Sequence, residues 1–116
     1  MKKTIATVIL IQGMEDYGQF YEILWEMNSI NGQKPNYRQR KLISEVVLEL
    51  LENGYIELVK VEQPLSLSDI KKIDYKNLEI SGNSKIWEVP ERYEDSKLRF
   101  ITTENGEKHL IKIRGN

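Results

Sequence analysis

The chain has 116 residues, of which 40% are hydrophobic and 30% are charged, and these proportions are typical of one globular domain. Its 17 basic and 18 acidic residues give a net charge of -1, which excludes the strongly basic signature of a dedicated nucleic-acid-binding protein. The absence of cysteine excludes disulfides, thiolate metal sites and a cysteine nucleophile, and the single histidine, His109, excludes a pair of histidine ligands. The composition therefore favours a binding protein without cofactor or metal over an enzyme.

The first segment, residues 4–12 (TIATVILIQ), is apolar and rich in β-branched side chains. Both a strand and a short buried helix fit this pattern, and we favour the helix for a reason given below. Lys2 and Lys3 precede it as the basic residues of a signal peptide would, but the apolar run has only about seven residues and no small-residue cleavage site follows. The run is also far short of the roughly 20 apolar residues that span a membrane. We therefore expect a cytoplasmic protein.

Two amphipathic helices are predicted next. The first covers residues 16–28, with Asp16 as its N-cap and with apolar side chains at helical spacing, and Trp25 is expected to be at least partly buried on it. After a loop containing Gly32 and Pro35, the second helix extends from Asn36 to Asn53, and Asn36 caps it. Its core stripe consists of Ile43, Val46, Val47, Leu50 and Leu51.

The second half of the chain predicts short elements. Tyr55 to Val61 is a strand, residues 68–73 (SDIKKI) a short helix, residues 81–84 a turn, Ile86 to Val89 a strand and residues 97–103 another strand. Residues 91–96 form a charged connection between the last two strands. Asn105-Gly106 indicates either a two-residue hairpin or a helix that begins at Thr103 and continues through Leu110, and the sequence leaves both open.

Two junctions resemble those of winged-helix domains. LENGYIEL (51–58) resembles the point where the last helix of a helix-turn-helix enters the first wing strand. RFITTENGEKHL (99–110) resembles the end of such domains, where the second wing strand leads through T-x-x-G into a helix. The resemblance implies an α+β fold in which residues 1–116 form a single winged-helix-like domain, with N-terminal helices followed by a small antiparallel sheet. Such domains begin with a helix, which is why we favour a helix for residues 4–12.

The pattern also departs from a DNA-binding winged helix. Between Asn28 and Asn36 there is no room for the short helix that positions the recognition helix. The interval between the wing strands, residues 62–96, is much longer than a hairpin loop. The scaffold therefore looks winged-helix-like, whereas its DNA-reading unit looks altered.

Together with DYGQFYEILWEMN (16–28) and IWEVPERY (86–93), these features resemble a group of small bacterial winged-helix-like proteins. Some of these lie beside polymorphic toxins and are similar to immunity proteins of contact-dependent growth-inhibition systems. The resemblance implies a protein-binding inhibitor that neutralises a cognate toxin domain, for example a nuclease, with no membrane and no small-molecule substrate involved. The alternative function is a winged-helix DNA-binding transcriptional regulator.

A candidate binding surface follows from charge. Toxin domains that act on nucleic acid present Lys and Arg around their clefts, so an inhibitor of such a domain is expected to present carboxylates. The most acidic short segment is residues 88–95, and it carries aromatic side chains of the kind that anchor interfaces. The candidate protein-binding residues are Trp87, Glu88, Glu91, Tyr93, Glu94 and Asp95. The helical face with Asp16, Glu22 and Glu26 is the second candidate.

Other residues allow a structural and a functional interpretation. Trp87 fits the core as well as an interface. Arg38, Arg40 and Lys41 either contact DNA from the start of the second helix or are ordinary polar residues of that helix. His109, which lies in a charged stretch, is expected to be a surface residue rather than a general base. No phosphate-binding, dinucleotide-binding or hydrolase motif appears in the sequence, so we predict no catalytic residue.

Overall fold

The structure, a computed structural model, describes residues 2–15, 18–31, 36–61, 70–88 and 98–115. These ranges contain four α-helices and a three-stranded antiparallel sheet in the order β2-β1-β3. The fold is therefore α+β, as predicted. In chain order the elements are α1 (Lys2–Glu15), α2 (Phe20–Asn31), α3 (Tyr37–Glu52), β1 (Ile56–Val61), β2 (Ile70–Ile73), β3 (Leu98–Thr102) and α4 (Glu104–Arg114).

Residues 4–12 form a helix, as favoured, and lie within α1. This helix packs against α2, α3, α4 and β3, and five of its apolar residues are buried. A helix that is covered on most sides needs apolar residues around most of its circumference, which removes the one-sided pattern of an amphipathic helix. The same burial explains why the sequence of this segment also fits a strand.

The predicted helix at 16–28 is α2, which extends to Asn31 and lies directly before α3 in the chain. The absence of a further short helix between Asn28 and Asn36 stays a prediction, because residues 32–35 lie outside the described residues.

α1 ends at Glu15, and α2 begins at Phe20, later than predicted. Between the two helices Gly18 pairs with Phe100 of β3, through backbone hydrogen bonds of 2.8 and 3.0 Å. A Cβ atom at Gly18 would overlap the Phe100 ring, so this close approach requires glycine. Three helices followed by the sheet are compatible with a winged-helix arrangement.

The predicted helix at 36–53 is confirmed as α3. The Asn36 side chain accepts a hydrogen bond from the backbone N–H of Gln39 at 2.8 Å, as an N-cap does. At the other end Gly54 has a φ of 72°, a left-handed conformation that favours glycine. All five residues of the predicted core stripe are buried. The chain then enters β1 one residue later than predicted, at Ile56.

Two predictions for the second half were wrong. Residues 70–73 form strand β2, not a helix, because they pair antiparallel with β1. An ion pair also joins the two strands, with Lys72 Nζ 3.1 Å from Glu57 Oε1. Residues 85–87 form a short 3-10 helix capped by Ser84, not a strand, and Val89 lies outside the described residues. Both segments are short, so their neighbours and not their own pattern determine their conformation.

The remaining predictions concern the end of the chain. The predicted strand at 97–103 is confirmed as β3, and the helix alternative after it is the correct one. The Thr103 side chain caps α4, which continues past Leu110 to Arg114. Gly106 lies inside the first turn of this helix, where a Cβ atom would overlap the backbone oxygen of Tyr55. The Asn-Gly pair therefore serves a close packing contact and not a hairpin turn.

Candidate protein-binding surface

Trp25 on α2 is the most prominent exposed aromatic side chain of the described residues. Its exposed fraction is 58%, so the expectation of a partly buried or core residue was wrong. Trp25 packs edge-on against Tyr21, with the ring centroids 5.2 Å apart. The buried face of α2 is centred on Phe20, Leu24 and Met27, and Trp25 lies to one side of this stripe. The expectation of burial came from its apolar neighbours on the helix, which do not show on which side of the helix Trp25 lies.

A groove with a volume of about 360 Å³ runs along one side of Trp25, between α2 and the turn at residues 81–88. We call it the α2–turn groove. Tyr21, Leu24 and Trp25 form its helical wall, and Glu88 lies on the opposite wall. The lining thus combines aromatic side chains with polar and charged ones. The remaining lining residues are Arg40, Gly82, Asn83, Ser84 and Trp87.

The turn that forms the second wall is fixed to the helices by three contacts. Trp87 is buried, and its ring packs edge-on against Phe20 of α2, with the centroids 5.9 Å apart. Within the turn, its Nε1 donates a hydrogen bond to the Ser81 carbonyl oxygen at 2.8 Å. The Arg40 Nε atom donates to the Gly82 carbonyl oxygen, also at 2.8 Å. Gly82 itself lies so close to the Tyr37 ring that a Cβ atom would press into it. The groove is therefore held open by packed and hydrogen-bonded residues.

A second groove, of about 410 Å³, lies on the other side of Trp25 between α1 and α2, and we call it the α1–α2 groove. Glu22, Trp25, Glu26 and Ser29 line it from α2, at the spacing that puts side chains on one helical face. Gln12 lines it from α1, and its Nε2 atom donates to the Glu22 carbonyl oxygen and to Glu26 Oε2, each at 3.2 Å. Trp25 therefore forms a ridge between two grooves.

The structure locates some of the predicted binding residues and not others. Glu88 is exposed and lines the α2–turn groove, whereas Trp87, with an exposed fraction of 6%, lies at its base as part of the core. Glu22 and Glu26 of the second candidate face line the α1–α2 groove. The other predicted contacts, Glu91, Tyr93, Glu94 and Asp95, lie outside the described residues, as does Asp16.

The basic group at the start of α3 does not form one continuous surface. Arg40 is engaged with the Gly82 carbonyl oxygen, while Arg38 and Lys41 are exposed. Further along α3, the exposed residues are carboxylates, and two of them lie 4.0 and 3.7 Å from Lys2 Nζ. These carboxylates are Glu45, Glu49 and Glu52. The exposed face of α3 is therefore of mixed charge and becomes acidic towards its C-terminal half.

His109 has a packing contact. Its ring stacks on that of Tyr55, with the centroids 4.2 Å apart and the planes 10° from parallel, and it is half-buried. The contact joins α4 to the turn that precedes β1, as a structural residue would. Over the ranges that the structure describes, no group of three or more His, Cys, Asp or Glu residues is arranged to hold a metal ion.

Comparison with known proteins adds no further information about this surface. The chain matches no protein-family model, no curated protein and no solved structure. Among the helices of the described ranges, none has the length and apolar character required to cross a membrane. The proposals below therefore depend on the geometry and chemistry of the residues themselves.

Proposed function

We propose that this protein is an inhibitor that binds a partner protein, an immunity-type protein that neutralises a toxin by direct contact in the cytoplasm. The observation that carries the proposal is the 58% exposure of Trp25 on a ridge between two grooves. Tryptophan is enriched among the residues that dominate binding energy, because its large ring fills a pocket of the partner while the contacts around it exclude water. Aromatic side chains are also enriched at protein interfaces, and Trp25 combines its exposure with a groove on either side.

The surroundings of Trp25 support a pre-formed binding surface. The α2–turn groove is held by the hydrogen bonds of Trp87 and Arg40, and the α1–α2 groove by those of Gln12. A surface whose shape is already fixed loses little conformational entropy on association, so more of the contact energy remains as affinity. This is the mode expected of inhibitors, which bind largely without backbone change.

The charges around the ridge support a basic partner. Glu26 lines the α1–α2 groove, and Glu88 lines the α2–turn groove, where the guanidinium of Arg40 is bonded to the Gly82 carbonyl oxygen. Complementary charge accelerates association and excludes wrong partners. A toxin domain that acts on nucleic acid has the required basic cleft. The acidic segment that begins at Glu88 extends this proposal to Glu91, Tyr93, Glu94 and Asp95 as further contacts.

The second candidate function is a DNA-binding regulator. The succession of α2 and α3 favours it, because a helix-turn-helix requires a helix directly before the recognition helix. Against it, Arg40 is engaged with Gly82, and the exposed face of α3 carries Glu45, Glu49 and Glu52 next to its two exposed basic residues. Carboxylates on that face repel phosphates, so we place this function second.

The function is tested with the product of the gene directly upstream of this chain's gene. Cells that express that product alone and together with this chain are compared for growth, and the two purified proteins are mixed and analysed by size-exclusion chromatography. We expect toxicity of the upstream product, restored growth on co-expression, and a stable complex. An upstream product that is not toxic, or one that neither binds this chain nor is neutralised by it, would contradict the proposal.

A further inference from the structure

The α1–α2 groove offers hydrogen-bond acceptors and an aromatic face, and its described lining contains no basic side chain. Glu26 contributes a carboxylate, and Trp25 contributes one wall. A glutamine amide has two N–H donors. Both donors of Gln12 are engaged, one with the Glu22 carbonyl oxygen and one with Glu26 Oε2. The groove is therefore suited to a ligand that donates hydrogen bonds and carries positive charge.

The groove also holds these groups in a fixed relation. Trp25, Glu26 and Ser29 lie three, four and seven residues after Glu22, so the four side chains line the groove from two successive turns of α2. Gln12 binds the Glu26 carboxylate from α1. Tyr21, which does not line this groove, packs against the indole of Trp25. A flat cation that enters the groove can therefore meet an aromatic face and a carboxylate at the same time.

We infer that the α1–α2 groove receives an arginine side chain from a basic surface of the partner protein. A guanidinium group is planar, carries five N–H donors and no acceptor, and stacks on aromatic rings, so it matches this groove better than an ammonium group does. Contact with the Trp25 face is a cation–π interaction, and contact with Glu26 is a charge-assisted hydrogen bond. The inference deepens the proposed function and rests on it for the identity of the partner as a protein.

The test uses a short peptide as the probe. The peptide N-acetyl-Gly-Arg-Gly-amide is titrated into the protein, and the indole N–H signals of Trp25 and Trp87 are followed by NMR. The control peptide has citrulline in place of arginine, which keeps the size and planarity of the side chain and removes the charge. Trp87 serves as an internal control, because it is buried and its indole N–H is bonded to Ser81.

We expect the arginine peptide to shift the Trp25 signal in a saturable manner, with a Kd in the millimolar range, and the citrulline peptide to bind at least about threefold more weakly. The Trp87 signal should stay in place. No saturable shift at Trp25, or equal shifts with both peptides, would overturn the inference.

Two substitutions separate the contributions. Glu26→Gln removes the charge but keeps an acceptor oxygen for Gln12, and Trp25→Leu removes the aromatic face; for the latter, the backbone amide of residue 26 is followed instead. Each should weaken arginine-peptide binding at least about threefold, whereas Glu52→Gln, which neutralises an exposed carboxylate on α3, should leave it unchanged. Equal effects of Glu26→Gln and Glu52→Gln would show that the peptide is bound only by non-specific charge attraction, and would overturn the inference.

The two proposals fail independently. If the upstream gene product binds and is neutralised, but the arginine peptide does not bind, the inhibitor function remains and the arginine site is wrong. If the arginine peptide binds as described, but the upstream gene product neither binds nor is neutralised, the site remains and the proposed function is wrong.

Discussion

Trp25 and Trp87 line the same groove and have opposite surroundings. Trp87 is buried against Phe20 and its indole N–H is bonded to Ser81, whereas Trp25 is more than half exposed and contacts mainly Tyr21. A buried, hydrogen-bonded indole contributes to the stability of the fold. An exposed indole contributes little to stability and remains accessible to a partner. At the scale of single residues, the structure therefore separates a stabilising tryptophan from a candidate binding tryptophan.

This separation predicts different effects on stability. Trp87→Ala should lower the free energy of unfolding by about 3–5 kcal/mol, because it leaves a cavity beside Phe20 and removes the donor to Ser81. Trp25→Ala should lower it by about 1 kcal/mol or less, because the ring is largely exposed. Urea unfolding followed by circular dichroism measures both. A larger loss for Trp25→Ala than for Trp87→Ala would contradict the assignment.

At the scale of elements, Thr103 connects three parts of the chain. Its Oγ1 atom accepts a hydrogen bond from the Gly106 N–H at 3.1 Å, which caps α4, and donates one to the Gly54 carbonyl oxygen at 2.6 Å. Its backbone N–H donates to the Tyr55 carbonyl oxygen at 3.0 Å. One residue thus ends β3, begins α4 and holds the turn between α3 and β1.

The threonine side chain is therefore expected to matter for its hydroxyl group. Thr103→Ala removes the cap and the bond to Gly54 together and should cost about 1–2 kcal/mol of stability. Thr103→Ser keeps the hydroxyl group and should cost less than half as much. Thermal unfolding of the two variants under the same conditions makes the comparison. Equal losses would mean that the methyl group, and not the two hydrogen bonds, is what α4 requires.

The elements differ in how well the sequence alone predicts them. α3 carries its own signals, the cap at Asn36, the apolar stripe and Gly54, so its bounds follow from local pattern alone. β2 lacks such signals, because pairing with β1 determines it. The 3-10 helix at 85–87 has a cap at Ser84, but its place in the fold depends on the contact of Trp87 with Phe20 of α2. Long-range contacts of this kind leave no periodic trace in the sequence.

The candidate surface was predictable only in part, for the same reason. The prediction of an acidic surface follows from the order of residues along the chain, and it named Glu88 and, as a second choice, Glu22 and Glu26, which line the two grooves. The two grooves do not follow from the order of residues along the chain, because each is formed by separate elements. Gln12 and Glu26 line one of them, and Tyr21 and Gly82 line the other. Trp25 was not among the predicted contacts, because its apolar neighbours on the helix indicated burial.

At the scale of the whole molecule, charge distribution weighs against DNA. The net charge is -1, and the exposed face of α3 combines two basic residues with three carboxylates. We therefore expect duplex DNA to bind no more tightly than about 10 μM at 150 mM salt, in the range of non-specific binding. Fluorescence anisotropy with labelled duplexes, with Arg38→Ala plus Lys41→Ala as the comparison variant, measures this. A sub-micromolar complex that this double variant abolishes would instead support the DNA-binding regulator.

The central claim is that a partner protein covers the Trp25 ridge. It is tested most directly by the affinity of the upstream gene product for Trp25→Ala, compared with Ile111→Ala, since Ile111 is another large apolar residue that is strongly exposed. A third variant changes Glu91, Glu94 and Asp95 together to Ala, and isothermal titration calorimetry is performed on all three. We predict that Trp25→Ala weakens binding by about 2 kcal/mol or more, close to thirtyfold in Kd, while Ile111→Ala binds as the unchanged protein does. If Trp25→Ala binds with unchanged affinity, the partner does not cover the ridge and the claim is wrong; loss of binding by the triple variant would then show that the partner contacts the acidic segment instead.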